Sequence, residues 1–190
     1  MNRSIYLASL VALFSVCAPT NNVKKTDTKK DLETITCTGS DVIVDDGDTI
    51  ICNGREIRIL GIDTPEIEHP DHCLMEEQPY GREAVAYAEK VFKNAKKIEV
   101  ITKEKDKYGR DLGHVFVDGE LYALDVLRRG LAYEVVTFYG DNGFPDLATK
   151  ILEVSNNVPK PKFEPPYIFR TRMKAMYGLK DENDKCVVKK

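Results

Sequence analysis

Two turn dipeptides, close together, constrain this chain more than any other feature. Asp46-Gly47 and Asn53-Gly54 are hairpin signals. Between and around them lie short runs that cannot be helices of useful length. Val42 and Val44 alternate with polar neighbours, Thr49-Ile50-Ile51-Cys52 returns, and Ile57-Arg58-Ile59-Leu60-Gly61-Ile62 follows the second turn. Three strands joined by two tight turns make an antiparallel meander.

The period then changes. Pro65, Pro70 and Pro79 mark a long loop from Asp63 to Pro79, and residues 81–96 place Ala84, Ala88, Val91, Phe92 and Ala95 on one helical face. Ile98–Ile101 reads as a fourth strand and Leu112–Val117 as a fifth, with a polar turn over Asp106–Arg110 between them. A second helix is expected over Ala123–Arg129, stopped by Gly130. Further helices are expected over Asp146–Val154 and Arg170–Tyr177, the latter ending at Gly178, with a Pro-rich run from Pro159 to Pro166 between them. The expected fold class is α+β, mainly β: a five-stranded OB-type barrel with packed helices.

Composition bounds the rest. The 190 residues are 42% apolar and 31% charged, a mixture that can bury a core. At the N-terminus, Arg3 precedes an uncharged apolar run from Ile5 to Val16 that is short for a bilayer span. Residues 1–18 are therefore expected to be a signal peptide cleaved near Ala18. An alternative is a lipoprotein signal, with Cys17 carrying the anchor. Residues 19–36 read as a flexible linker, 37–180 as the functional domain with 137–166 as an insertion, and 181–190 as a charged tail. An exported chain without Cys17 keeps Cys37, Cys52, Cys73 and Cys186, an even set with three pairings open. His69, Asp71, His72 and Cys73 lack regular zinc spacing and read as a polar loop. Net charge is −3, or −4 once Arg3 is removed, which excludes an avid coat protein for nucleic acid but not a local cationic site.

Three segments carry the chemistry, and each alone passes as an ordinary turn. They are Asp46-Gly47-Asp48-Thr49, Asp63-Thr64-Pro65-Glu66 and Asp106-Lys107-Tyr108-Gly109-Arg110. A barrel would bring them together. Asp48 and Asp63 can then share a hard cation, with the Thr64 carbonyl as a further oxygen; few protein ligands and several waters suit Ca²⁺, whereas Mg²⁺ demands stricter geometry. Arg58 and Arg110 offer planar forks for phosphate oxygens. Glu66 has no evident structural duty and can orient or deprotonate a water.

In order and spacing these segments, with Tyr80-Gly81-Arg82-Glu83-Ala84 and Arg129-Gly130-Leu131-Ala132, closely resemble the staphylococcal (micrococcal) nuclease family over roughly Ser40 to Leu131. The resemblance implies an OB-fold endonuclease that cuts DNA and RNA with Ca²⁺ and leaves 3′-phosphate ends. It implies Asp48, Asp63 and Thr64 as metal ligands supported by Asp46, Glu66 acting on water, Arg58 and Arg110 on the phosphate, and Lys107 and Tyr108 on a neighbouring phosphate. Phe138 or Tyr139 is a candidate for base stacking. The family's final Gly-Leu-Trp is matched here by Gly178-Leu179-Lys180, without the tryptophan. DNA and RNA are the expected partners, the chain is expected to be monomeric and exported, and a nucleic-acid or oligosaccharide binding module is the competing reading.

Overall fold

The computed structural model describes residues 31–182 and 185–188. The expected signal peptide, the Cys17 anchor and the first part of the linker lie outside the described residues. Among the described residues no helix is long and apolar enough to cross a membrane.

The expected meander is present as β2 (Val42–Val44), β3 (Thr49–Cys52) and β4 (Arg55–Ile59), paired antiparallel in sequence. Asn53 and Gly54 both take positive φ, as a turn of this type requires. The fourth and fifth expected strands are β6 (Ile98–Lys105) and β7 (Asp111–Val117), again antiparallel. One contact joins the two halves. β4 runs parallel to β7, with Arg58 opposite Leu112 and Ile59 opposite Gly113. The sheet order is thus β1-β6-β7-β4-β3-β2, with the two-residue β8 (Glu120–Leu121) also on β7. This curled, mainly β architecture with packed helices is the OB-type fold expected from the sequence.

β1 (Glu33–Cys37) was not expected as a strand from its start. It pairs with β6, so the sheet begins inside the stretch read as linker. Its inward residues Ile35 and Cys37 are buried, and Cys37 is bonded to Cys52 of β3. That cross-link explains why a polar, Thr-rich segment holds a place on the sheet edge.

The helices cover the sheet by the apolar faces that their spacing predicts. α1 (Gly81–Lys93) buries Ala84, Ala88 and Phe92, and α2 (Tyr122–Arg128) buries Tyr122, Ala123, Val126 and Leu127. A two-residue strand, β5 (Ile62–Asp63), pairs with β9 (Tyr133–Glu134), and a short α3 (Val136–Tyr139) follows. α4 (Pro145–Asn157) packs on α2 and puts Ile151, fully buried, into the main core. α5 (Pro166–Met176) starts four residues before the expected helix, because Pro166 sits at the first turn where a missing N–H costs nothing. Phe169 and Met173 of α5 pack on Leu74, a satellite core under the long loop.

The charged tail is not simply loose. β10 (Leu179–Glu182) and β11 (Lys185–Val188) form a hairpin, and Cys186 is bonded to Cys73. Of the three pairings left open, the fold selects Cys37–Cys52 and Cys73–Cys186. Cys73 is thereby unavailable as a metal ligand, and His69 and His72 stack face to face with centroids 4.0 Å apart.

One titratable group lies deep in this core. His114 of β7 is 2% exposed and meets the ring of Phe144 edge-on. Burial pushes its pKa down to about 4. The unfolded chain therefore binds a proton on His114 below about pH 6.5 that the native chain refuses until about pH 4. Stability carried by this group is present above pH 6.5 and declines as pH falls, by roughly 3 kcal/mol in all. Urea unfolding from pH 7 to 4.5 should show wild type losing ground to His114→Leu as the pH drops; a pH-independent difference between the two would exclude the effect.

Candidate active site

The turn after β2 folds back onto the end of β4. The Ile59 amide donates to the Asp48 carbonyl at 2.8 Å, and the Asp48 amide donates to Asp46 Oδ1 at 2.9 Å. Tyr122, from α2, donates its hydroxyl to the Gly47 carbonyl at 2.9 Å. Gly47 is required for a steric reason: a Cβ there would lie 2.7 Å from Thr64 Oγ1 and 2.9 Å from its Cβ. The absence of a side chain lets the first turn close on the end of β5, and the Thr64 amide donates to Asp48 Oδ2 at 2.7 Å.

Asp48 and Asp63 are thereby buried together, 4% and 3% exposed. Two buried carboxylates in one place need a cation or a proton. Arg58 provides the cation. One Nη is ion-paired with Asp48 Oδ1 and the other with Asp63 Oδ1 at 2.9 Å. Thr49 also reaches Asp48 Oδ1, at 3.4 Å. Asp46 stands behind this group. Burial pushes its carboxyl up, and the positive charges of Arg58 and Arg110 oppose that rise.

Glu66 is set by the loop beyond β5. Its backbone carbonyl accepts from the Gln78 amide at 2.9 Å, and its amide donates to Gln78 Oε1 at 3.1 Å. Gly81 lets the start of α1 press on this loop, since a Cβ there would lie 2.3 Å from the Glu66 carbonyl oxygen. Burial raises the Glu66 carboxyl to about 7; Arg170 lowers it, and Asp63 and Asp46 add to the rise. A carboxyl titrating near neutrality is matched to accepting a proton from water.

Arg110 approaches from the other side. The parallel pairing of β4 with β7 sets Ile57 opposite Asp111, so Arg110 precedes β7 beside the strand that carries Arg58. Its Nε donates to Asp106 Oδ2 at 2.8 Å and its amide to Asp106 Oδ1 at 3.0 Å. The Tyr108 amide uses the same Oδ1 at 2.8 Å, so a single aspartate organises the turn. Tyr108 is exposed, with the Lys107 ammonium 4.5 Å and the Arg110 guanidinium 5.5 Å from its ring centroid. Lys107, Tyr108 and Arg110 thus form one cationic, aromatic lip. Phe138 and Tyr139 are exposed on α3, and Phe138 lies 5.8 Å from the ring of Tyr167 on α5.

Arg170 was missed by sequence reasoning. It lies on α5, more than a hundred residues from its partners, and donates to Asp63 Oδ1 and Oδ2 at 3.0 and 2.9 Å and to Glu66 Oε1. Its surroundings in the sequence, Phe169 and Thr171, offer no turn or motif that marks it. Only the disulfide between Cys73 and Cys186 hints that the C-terminal segment folds back on the 63–79 loop.

The donor set fits a hard cation. Asp48 and Asp63 would offer carboxylate oxygens, close enough for a single guanidinium to span both, and the adjoining Thr64 carbonyl would be a further oxygen donor. Among the described residues no three His, Cys, Asp or Glu side chains converge as a closed metal centre, and a site of few protein oxygens completed by water would be open.

Arg170 neutralises Asp63 and Glu66 from one helix. Truncating it should leave this carboxylate group short of one positive charge. The loss expected for breaking a buried pair is about 3–5 kcal/mol, reduced to about 2 kcal/mol because the Arg170 side chain is 30% exposed. Urea unfolding of Arg170→Leu at pH 8 in chelator measures this, and a loss under about 0.5 kcal/mol would show that the contact has no such role.

Comparison with known proteins bears on the family of this chain. The family model for staphylococcal nuclease homologues matches residues 56–158, from β4 through the end of α4. The thermonuclease of Staphylococcus hyicus is 38% identical over 92 residues, 46% of this chain and 53% of that protein. Endonuclease YncB of Bacillus subtilis is 40% identical over 108 residues, 50% of this chain and 49% of that protein. The chain spans about half the length of the curated relatives it matches. The matched span carries Arg58, Asp63, Thr64, Glu66, Lys107, Tyr108 and Arg110, whereas Asp46 and Asp48 precede it and Arg170 follows it. On the extent of the family match, this chain belongs to the staphylococcal nuclease family.

Proposed function

We propose that this chain is an exported, Ca²⁺-dependent endonuclease that hydrolyses phosphodiester bonds of DNA and RNA and leaves 3′-phosphate ends. The observation that carries the reading is the bridge from Asp48 through Arg58 to Asp63, with Glu66 attached through Arg170. It collects three carboxylates and two guanidinium groups at one place, the charge pattern that phosphodiester hydrolysis needs. Its relatives include a thermonuclease and an endonuclease, which supports the same reading. The two disulfides support export, because such bonds persist in oxidising compartments.

The residues divide the work as follows. Asp48, Asp63 and the Thr64 carbonyl would hold the cation, which supplies charge neutralisation at a phosphate oxygen. Arg58 and Arg110 donate to the non-bridging oxygens, where negative charge grows as the attacking oxygen arrives. Glu66 takes the proton of the attacking water. The new P–O bond forms, the bond to the 5′ oxygen breaks, and that oxygen leaves with a proton drawn from solvent. Lys107 and Tyr108, on the exposed lip, contact the neighbouring phosphate. Asp46 holds the Asp48 amide and so the first metal ligand.

The test is incubation of purified protein with single-stranded DNA and with RNA, with Ca²⁺ or with chelator. Cleavage should require Ca²⁺ and should fall at least 100-fold in Glu66→Ala and in Arg110→Lys, which keeps the charge but not the fork. Products should resist polymerase extension until a phosphatase removes the 3′ phosphate. Cleavage undiminished in chelator, or by Arg110→Lys, would overturn the assignment; tight strand binding without turnover would support the binding-module reading instead.

A further inference from the structure

A groove opens at Tyr80, where the loop that carries Glu66 meets α1. Its walls are the end of α2, with Arg128 and Arg129, and the segment after α4, with Lys160 and Lys162; Tyr80 lines it between them. It encloses about 240 Å³, less than the roughly 300–1,000 Å³ of pockets that engulf a small molecule. An open trough of this size suits a short stretch of a longer chain passing through it rather than a whole free ligand.

Its charge is concentrated, and one of its four cations is already paired. Arg129 is engaged with Asp125 at 3.3 Å and with the ring of Tyr87. Arg128, Lys160 and Lys162 are exposed. The nearest acidic neighbours along these segments are turned elsewhere: Glu164 pairs with Arg172 and Glu77 with Arg82. In a chain of net charge −3 such a cluster is a local exception, and it would attract a polyanion.

Tyr80 adds an aromatic surface. It is 37% exposed and adopts φ 74°, ψ 2°, a left-handed conformation that a bulky residue takes only against strain. The conformation brings the ring against Phe163, centroids 5.7 Å apart, while its exposed part lines the groove. Strain held in an exposed aromatic beside free cations is the kind of feature found at ligand clamps.

The groove is built on the same loop that sets Glu66. Gln78 bonds the Glu66 backbone through both its amide and its side chain, and its Nε2 donates to the Glu164 carbonyl. Tyr133, opposite Asp63 in the β5–β9 pair, donates its hydroxyl to the Phe163 carbonyl at 2.7 Å. Active site and groove are therefore tied together through Gln78, Tyr133 and the 163–164 segment.

We propose that this groove is a second polynucleotide subsite: a single strand lying across the active site continues into it, with backbone phosphates at Arg128, Lys160 and Lys162 and a base stacked on Tyr80. This rests on the nuclease reading for the identity of the polyanion. Lys160 and Lys162 lie beyond the family match, whereas Tyr80 and Arg128 lie within it, so the C-terminal segment supplies one of the two walls.

The triple variant Arg128→Gln/Lys160→Gln/Lys162→Gln separates the two ideas. Turnover is compared on dTpdT, which fills only the cleavage site, and on a 20-nucleotide oligothymidylate. The expected result is unchanged kcat/KM on dTpdT and a KM on the oligonucleotide raised about tenfold, with the slope of log KM against log salt reduced by about 2, near 0.7 per lost phosphate contact. Tyr80→Leu should raise the oligonucleotide KM without changing that slope, because stacking releases no counterions. Equal effects on both substrates, or none on the longer one, would overturn the subsite. Should the wild-type protein cleave neither substrate, the nuclease reading fails, and the groove is judged by fluorescence anisotropy of labelled oligothymidylate: tenfold weaker binding by the triple variant upholds it and equal binding refutes it.

Discussion

Asp48 and Asp63 are buried side by side, and Arg58 is the cation that makes this tolerable. Two carboxylates taken out of water repel each other and lose their hydration, at a cost of several kcal/mol per ion unless a partner is present. A lysine could not serve equally, because the two carboxylates are reached from two separate nitrogens of one planar group. Everything around the pair serves to hold it. Gly47 removes a side chain so that Thr64 can approach, the Thr64 amide occupies the second oxygen of Asp48, and Arg170 takes both oxygens of Asp63.

The fold supplies this arrangement through one parallel contact. Antiparallel hairpins alone would leave the β2–β4 meander and the β6–β7 pair as separate units. The parallel register of β4 against β7 joins them and sets the start of β7, where Arg110 stands, beside the strand of Arg58. The short β5–β9 pair then anchors Asp63 to the chain that follows α2. Two arginines 52 residues apart in the sequence thus stand on or beside neighbouring strands.

The segment beyond residue 158 adds a second layer to a site that the family-matched region already outlines. It contributes Arg170 to the carboxylate cluster and the two lysines of the adjoining groove, and it is closed onto the 63–79 loop by the Cys73–Cys186 bond. A disulfide spanning 113 residues also restricts the unfolded chain substantially. Attachment at Cys73 matters for geometry too, because β11 then packs on the Pro70–His72 turn at the base of the loop that leads to Glu66.

The local chemistry was legible in the sequence. Gly after Asp or Asn announced both hairpins, the i, i+4 spacing of Ala84, Ala88 and Phe92 announced α1, and the ordered motifs named Asp48, Asp63, Glu66, Arg58 and Arg110. Those signals are local because turn conformation and helical periodicity depend on neighbouring residues. Pairings between distant segments carry no such signal. β1 reads as polar linker until Cys37 is joined to Cys52, β4 gives no sign of its parallel partner, and Arg170 looks like one more cation on a charged helix. The sequence by itself determined which residues are candidates to hold a cation and a phosphate. Only the tertiary structure decided which cysteines pair and which distant arginine meets Asp63 and Glu66. Buried charges must find partners wherever the chain brings them, and that is a property of the packed molecule rather than of any short stretch of it.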